Sequence, residues 1–367
     1  MAGAAGDGGR WRWQSVGAVI GVLVGTITSG TLECDPLVET QEVAHGREVY
    51  GRMCAICHGG AGEGYKADQA PALGHPAFLS TASDEFLAAA ITLGRGGSTM
   101  SAWGIERGGP LARRDVAAVV AFMRTWQKDA DATLDDRPIA GDVVHGGAVY
   151  AAECARCHGS AGTGGPFVAI GNPQLLGSAS HGFLRAAIRD GRRGTEMAAF
   201  GKALGDKGVE DVLAFVKTLP RTQPPSASRP ASPARPPPLP LGPVPLNAHG
   251  PEPKGFDTAT GFTKADVIAE QLRRGARMGI LDARAPSDYS IDHITGAVSV
   301  PFYDPEPYIS SLPRDAWLVC YCGCPHAESG QLAQKLRGRG FTKVTVLDEG
   351  LRYWSSKKYG THAGLMP

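Results

Sequence analysis

The stretch HGREVYGRMCAICHGGAGEG, His45 to Gly64, returns 100 residues later as HGGAVYAAECARCHGSAGTG, His145 to Gly164. The likeness runs on. FLAAAITLGRGGSTMSAWG from Phe86 parallels FLRAAIRDGRRGTEMAAFG from Phe183, now at an offset of 97. DVAAVVAFMRTW from Asp115 and GVEDVLAFVKTL from Gly208 close the two copies. One unit of about 85–100 residues is therefore used twice, too few copies and too long a period for a solenoid of short repeats.

Each copy holds C-x-x-C-H, as Cys54, Cys57 and His58, and as Cys154, Cys157 and His158. Two thiols at this spacing can add to the two vinyl groups of one haem, and the following His then lies under the iron. A thioredoxin-type pair would follow a strand of a βαβ unit, and a zinc site would need a second ligand pair nearby; neither pattern is present. The predicted cofactors are thus two covalently attached c-type haems. The sixth iron ligand follows by elimination. After His158 the second copy has one methionine, Met197, whose aligned partner is Met100. Met123 sits at an apolar helical position and reads as core. His75 aligns with Asn172, and His181 with Asp84, so neither His is shared. The expected axial pairs are His58/Met100 and His158/Met197. Thioether ligation raises the potential of a haem, which suits single-electron transfer and leaves no open position for peroxide.

GREVYGRMCAICH and GGAVYAAECARCH read as helices ending at the motif, and the closing segments place apolar residues at i, i+3 and i+4. A haem would supply apolar core that so short a unit lacks. Residues 43–220 resemble the class I cytochrome c family in tandem, as all-α domains over 43–128 and 143–220. That family's proline beside the proximal His appears as Pro71 in the first copy, whereas Val168 aligns in the second. Arg95 and Arg192 align and read either as partners of haem propionates or as solvated surface groups.

The flanks set the compartment. Of the 367 residues the formal net charge is +1, which argues against nucleic acid as a partner. Arg10 and Arg12 precede VGAVIGVLVGTI, Val16 to Ile27. A short apolar run behind basic residues reads as an export signal within residues 1–34, and it is short for a spanning helix. Cleavage, lipidation at Cys34, or retention as a membrane anchor all place the rest outside the cytoplasm, in the periplasm or on the outer face of the membrane. Pro220 to Pro253 contains 13 prolines in 34 residues. Residues 221–255 therefore read as an extended spacer, with a third domain at 256–367 tethered to the haem domains and not packed rigidly on them.

In that domain GILDAR, AVSVPF, WLVCYC and KVTVLDE read as strands, with ESGQLAQKLRGRG and LRYWSSKKY as helices. Buried strands alternating with helices predict an α/β fold with a parallel sheet, whose ligands lie beyond the carboxyl ends of the strands. Cys322 ends one strand. The segments ILDARAPSDYSIDHITGAVSVPF and VTVLDEGLRYW resemble the flanking signatures of the rhodanese sulfurtransferases. The resemblance implies Cys322 as the nucleophile that carries a sulfane sulfur. Asp282 and Arg284 match the family's D-x-R, and His293 its H-I-x-G-A. The loop from Cys322 to Glu328 has seven residues, one more than the family's usual six. Glu328 stands where an Arg would grip an anion, and as a carboxylate it is expected to repel thiosulfate. His326 is expected to add positive charge. Cys324 is read as a resolving thiol for Cys322, or as its partner in a strained disulfide, and Cys320 as a buried core residue. The expected partners are redox proteins and a sulfane-sulfur donor such as thiosulfate or polysulfide. The rival reading is an electron carrier whose rhodanese domain only docks or senses.

Overall fold

The computed structural model describes residues 39–67, 70–219, 243–257, 259–323 and 325–367. The apolar run at 16–27, Cys34, most of the proline-rich stretch and Cys324 lie outside these residues. The duplication becomes two sets of five helices. The first set is α1 (Gln41–Met53), α2 (Ala55–His58), α3 (Pro76–Leu79), α4 (Asp84–Leu93) and α5 (Arg113–Arg124). The second is α6 (Val143–Glu153), α7 (Ala155–His158), α8 (Pro173–Ser178), α9 (His181–Asp190) and α10 (Gly201–Val216). The backbone of α10 breaks at Gly205, so the part matching α5 begins after it.

Side chains that punctuate the sequence set the helix starts. Ser83 Oγ accepts from the Phe86 amide at the head of α4, and Ser180 Oγ from the Phe183 amide at the head of α9. Asp142 does the same for Val144 and His145 on α6. In each copy the first helix crosses the last at a glycine. A Cβ on Gly46 would lie 1.9 Å from the Ala118 carbonyl oxygen, and one on Gly146 1.8 Å from that of Asp211. Only a residue without a side chain permits so close a crossing. The crossing buries Tyr50 and Tyr150, and Tyr50 packs against Phe122 and Trp126 at 5.5 and 5.1 Å. Met123 is buried, as its helical spacing predicts.

The two copies meet by reciprocal contacts between equivalent residues. The His75 ring Nε2 donates to the Arg193 carbonyl (3.0 Å), and Asn172 Nδ2 donates to the Gly96 carbonyl (2.8 Å). His75 and Asn172 are equivalent at the offset of 97, as are Gly96 and Arg193. Phe86 and its equivalent Phe183 pack ring on ring at 4.7 Å. An approximate two-fold relation therefore joins the halves, like an isologous interface within one chain.

The C-terminal region is α/β. Its elements are β1 (Phe262–Thr263), α11 (Ala265–Arg273), β2 (Met278–Asp282), α12 (Pro286–Ile291), β3 (His293–Ile294), β4 (Ala297–Ser299), α13 (Glu306–Ile309), β5 (Trp317–Tyr321), α14 (Ala327–Gly338), β6 (Val344–Leu347), α15 (Gly350–Ser356) and β7 (Thr361–His362). Five parallel strands run in the order β1-β6-β5-β2-β4, and β3 pairs antiparallel with β7. From β2 the chain moves outward to β4, and from β5 the other way to β6. The strand order thus reverses between β2 and β5, and a crevice opens beyond their carboxyl ends. Cys322 follows β5 directly, at that point.

Two expectations are corrected. Residues 243–255, read as spacer, are part of the α/β domain. Val244 is buried, and it and Leu246 fill the space above Gly279, where a Cβ would stand 2.6 Å from Val244 Cγ1. Asn247 Nδ2 donates to the Gly275 carbonyl, and the Arg277 amide donates to that of Pro251 (2.9 Å). Prolines preclude a core of their own, yet Val and Leu set between them can dock an extended segment on an existing one. The third domain is also packed on the first haem domain, not merely tethered. Trp103 packs on Tyr303 at 5.6 Å, Ser101 Oγ donates to Asp288 Oδ2 (2.6 Å), and Ser287 Oγ donates to the Ala102 carbonyl (2.7 Å). Tether composition reports reach; it carries no information about the surfaces at its two ends.

Candidate haem crevices and the Cys322 site

At each C-x-x-C-H the helix breaks at the first Cys and resumes for one turn to the His. The tyrosine one turn earlier ties the far side, with Tyr50 OH donating to the Gly59 carbonyl and Tyr150 OH to that of Gly159, both at 2.8 Å. His58 Nδ1 lies 3.0 Å from the Pro71 carbonyl oxygen, and His158 Nδ1 lies 2.9 Å from that of Val168. A carbonyl only accepts, so each Nδ1 carries the proton and each Nε2 presents a lone pair. Burial lowers the pKa of both rings, opposed by the carbonyl contact, and favours this neutral form. The bond at His158 needs no proline, because a backbone carbonyl comes with any residue.

The methionine loops are built alike. The Arg95 amide donates to the Met100 carbonyl and the Arg192 amide to that of Met197, at 2.9 and 2.8 Å. The Met100 amide donates to Ser98 Oγ, and the Met197 amide to Thr195 Oγ1. Both methionines are half-buried. The Arg95 guanidinium lies over Phe86 and that of Arg192 over Phe183, at 5.6 and 5.4 Å. Burial lowers both pKa values, Arg95 to about 10, which a nearby anion would relieve. The donor chemistry fits a c-type haem in each copy: a neutral imidazole with a free lone pair, two half-buried thiols one turn apart, and a thioether in a fixed loop.

In the α/β domain Cys322 is 0% exposed, its Sγ 3.2 Å from Ser329 Oγ. The Leu351 amide donates to its carbonyl. Below the loop Asp282 and Arg284 form a buried ion pair, with Nε at 3.0 and 3.2 Å and Nη2 at 2.7 Å from the carboxylate. Tyr321 OH donates to Asp282 Oδ2 at 2.6 Å and accepts from the Ile294 amide. The D-x-R pair therefore braces the strand end under Cys322. Cys320 faces the core, and burial raises its thiol pKa.

Other sequence-predicted residues lie differently. His326 adopts a left-handed backbone (φ 69°), bonds Asp348 Oδ1 through Nε2 (2.6 Å) and stacks on Phe262 at 4.1 Å. Its ring is engaged by Asp348 and Phe262. His293 is buried, Nδ1 on the Tyr289 carbonyl and Nε2 on that of Met366, and it serves the β3–β7 ribbon. Glu328 is buried, and its pKa is raised well above the carboxylate range, first by desolvation and then by the field of Cys322. Burial thus opposes the charged, repelling carboxylate expected from the sequence and favours the neutral acid, which can donate a hydrogen bond. Sequence reasoning missed Ser329, Ser101 and Asp288. The first is signalled by a Ser following the loop; the others depend on the packing of two domains.

Two family models match. The model described as cytochrome C oxidase, cbb3-type, subunit III covers residues 41–123 and 141–216, and the rhodanese-like domain model covers 264–357. Among curated proteins, the thiosulfate sulfurtransferase GlpE of Pseudomonas entomophila is 34% identical over 23% of this chain and 76% of its own length. This chain joins cytochrome c domains to a domain of the rhodanese family. The cbb3-type cytochrome c oxidase subunit CcoP of Azospirillum sp. is 29% identical over 48% of this chain. That match spans 62% of the relative's length. A solved rhodanese-like domain from Anabaena sp. is 30% identical over 29% of the chain and 80% of its own length, with a TM-score of 0.27. The cytochrome c match implies covalently bound c-type haem.

Proposed function

We propose that the chain is an exported dihaem electron carrier whose rhodanese domain holds sulfane sulfur on Cys322. Cys54, Cys57, Cys154 and Cys157 are the attachment residues, His58/Met100 and His158/Met197 the axial pairs. When bound, the haems supply one-electron chemistry. The chain's own residues hold each imidazole in one tautomer through Pro71 and Val168 and fix each methionine through its loop. At the other site Asp282, Arg284 and Tyr321 fix the strand end, Ser329 shares a proton with Cys322, and the burial that favours the neutral form of Glu328 lowers its repulsion of an anionic sulfur donor.

The observation that carries this reading is the matched tautomer of the two motif histidines, each with Nδ1 on a carbonyl. Likeness to an oxidase subunit and to thiosulfate sulfurtransferases supports redox-protein partners, a sulfur donor such as thiosulfate or polysulfide, and a periplasmic or membrane-associated location. Among the described residues no helix is long and apolar enough to cross a membrane. The domains proposed are 43–128, 143–220 and an α/β unit beginning near 243. The burial of Cys322 favours the second reading, a docking or sensing module without turnover.

Intact mass of the full chain tests both parts. Two haems and, after polysulfide, one added sulfur lost in Cys322→Ser are expected. Mass for a single haem would overturn the dihaem reading; absence of any sulfur adduct would leave the docking module.

A further inference from the structure

The two methionine loops share their backbone bonds but not their surroundings. Ser101 and Trp103 are 2% and 5% exposed, whereas the aligned Ala198 is exposed and Phe200 half-buried. The differences within the duplication explain this. Ser101 Oγ donates to Asp288 Oδ2, a bond for which Ala198 has no atom, and Trp103 gives Tyr303 a larger ring to pack on than a Phe would. From the α/β side Ser287 Oγ donates to the Ala102 carbonyl (2.7 Å). Thr99 reaches the thiol loop: its methyl carbon is 3.4 Å from where a Cβ on Gly323 would stand, one residue past Cys322. Helix α2, which ends in His58, meets α14, which follows the Cys322 loop. The first copy is thus fitted to the carboxyl ends of the α/β strands through its methionine loop.

We propose that the Ser98–Trp103 segment is the lid of the Cys322 site, and that by carrying Met100 it links occupancy of Cys322 to the first haem. Cys322 reacts when the segment lifts from α12 and Gly323. By reciprocity, a group attached to Cys322 disfavours the seated segment and displaces Met100. The second methionine loop, whose Ala198 is exposed, has no part in this link. The biological meaning rests on sulfur binding at Cys322, but the test does not.

Iodoacetamide is a neutral probe: the Cys322 sulfur displaces iodide and forms a thioether. In the full-length haem-loaded protein, peptide mass spectrometry follows alkylation of Cys322, with Cys320 as the buried reference. Ser101→Ala with Trp103→Phe, the residues of the second copy, is expected to speed the reaction about tenfold, the upper end for one lost hydrogen bond. Ser287→Ala, which leaves the haem domain intact, should speed it in the same direction. Methyl-labelled methionine gives the reciprocal readout by NMR. Alkylation in the wild type should move the Met100 methyl signal and leave that of Met197 in place. Equal alkylation rates in all three proteins, or an unmoved Met100 signal, would overturn the lid. Faster alkylation in the variants without any polysulfide adduct would keep the lid and remove the sulfur-carrying reading.

Discussion

Replacing Arg284 with Met tests how the Cys322 site is held. Asp282 is 0% exposed and is met by two guanidinium nitrogens, the Arg284 amide (3.0 Å) and Tyr321 OH (2.6 Å). Arg284 also reaches the Asp292 carbonyl. Met fills the volume of the aliphatic stem and removes the cation, leaving a buried carboxylate with two neutral donors. Breaking one side of a buried ion pair costs about 3–5 kcal/mol. At about 1.36 kcal/mol per decade, that is between about two and four orders of magnitude in the opening equilibrium of the sheet. Hydrogen–deuterium exchange of the 278–282 and 317–321 peptides in the full-length protein reads that equilibrium directly. The haem-domain peptides of α6 and α10 serve as an internal reference. Asp282→Asn added to Arg284→Met should recover most of the loss, because the orphaned charge goes with it. An acceleration of less than tenfold in the single variant would refute the reasoning, since it would mean that water or another group already satisfies Asp282. Failure of the double variant to recover would show that the guanidinium acts by packing, not by charge.

Two further outcomes follow from ionisation. Glu328 has a raised pKa in the fold, so it binds more protons folded than unfolded, and the domain loses stability as pH rises above about 4.5, the ordinary value. Glu328→Gln, which mimics the neutral acid, should therefore raise the melting temperature of the α/β domain more at pH 8 than at pH 5; an equal rise at both would place a charged carboxylate there. Asp211 is the opposite case, held at about 2 by Lys207, the Asp142 amide and the His145 ring. Its stabilising contribution is complete above its ordinary 3.8 and is lost as pH falls toward 2. Asp211→Asn should flatten the acid unfolding of the second haem domain, read by circular dichroism between about pH 4 and 2, and a slope as steep as wild type would count against the assignment.

Much of this protein is written locally. The spacing of Cys54, Cys57 and His58 and its repeat at 154–158 bring the two thiols to one side of a single helical turn, because residues three and four apart share a face at 3.6 residues per turn. The helices beside them follow from apolar period and from caps such as Ser83 and Asp142, and the strands from short buried runs ending at turns. Cys322 at a strand end was equally open to reading, since position along a strand needs no partner to define it. The role of Glu328 was not: a carboxyl is charged or neutral according to the solvent left around it, and seven loop residues do not state that. Nor do Val244 and Leu246, between prolines, announce that they will cover Gly279. The exchange of His75 and Asn172 across the two halves, and the seating of Ser101 and Trp103 on Asp288 and Tyr303, are contacts between residues about 118, 76, 187 and 200 apart in the chain. Such pairs leave no periodicity and no spacing behind. They exist only where folded surfaces meet, and through that meeting one of two related loops came to lie beside a cysteine more than two hundred residues away.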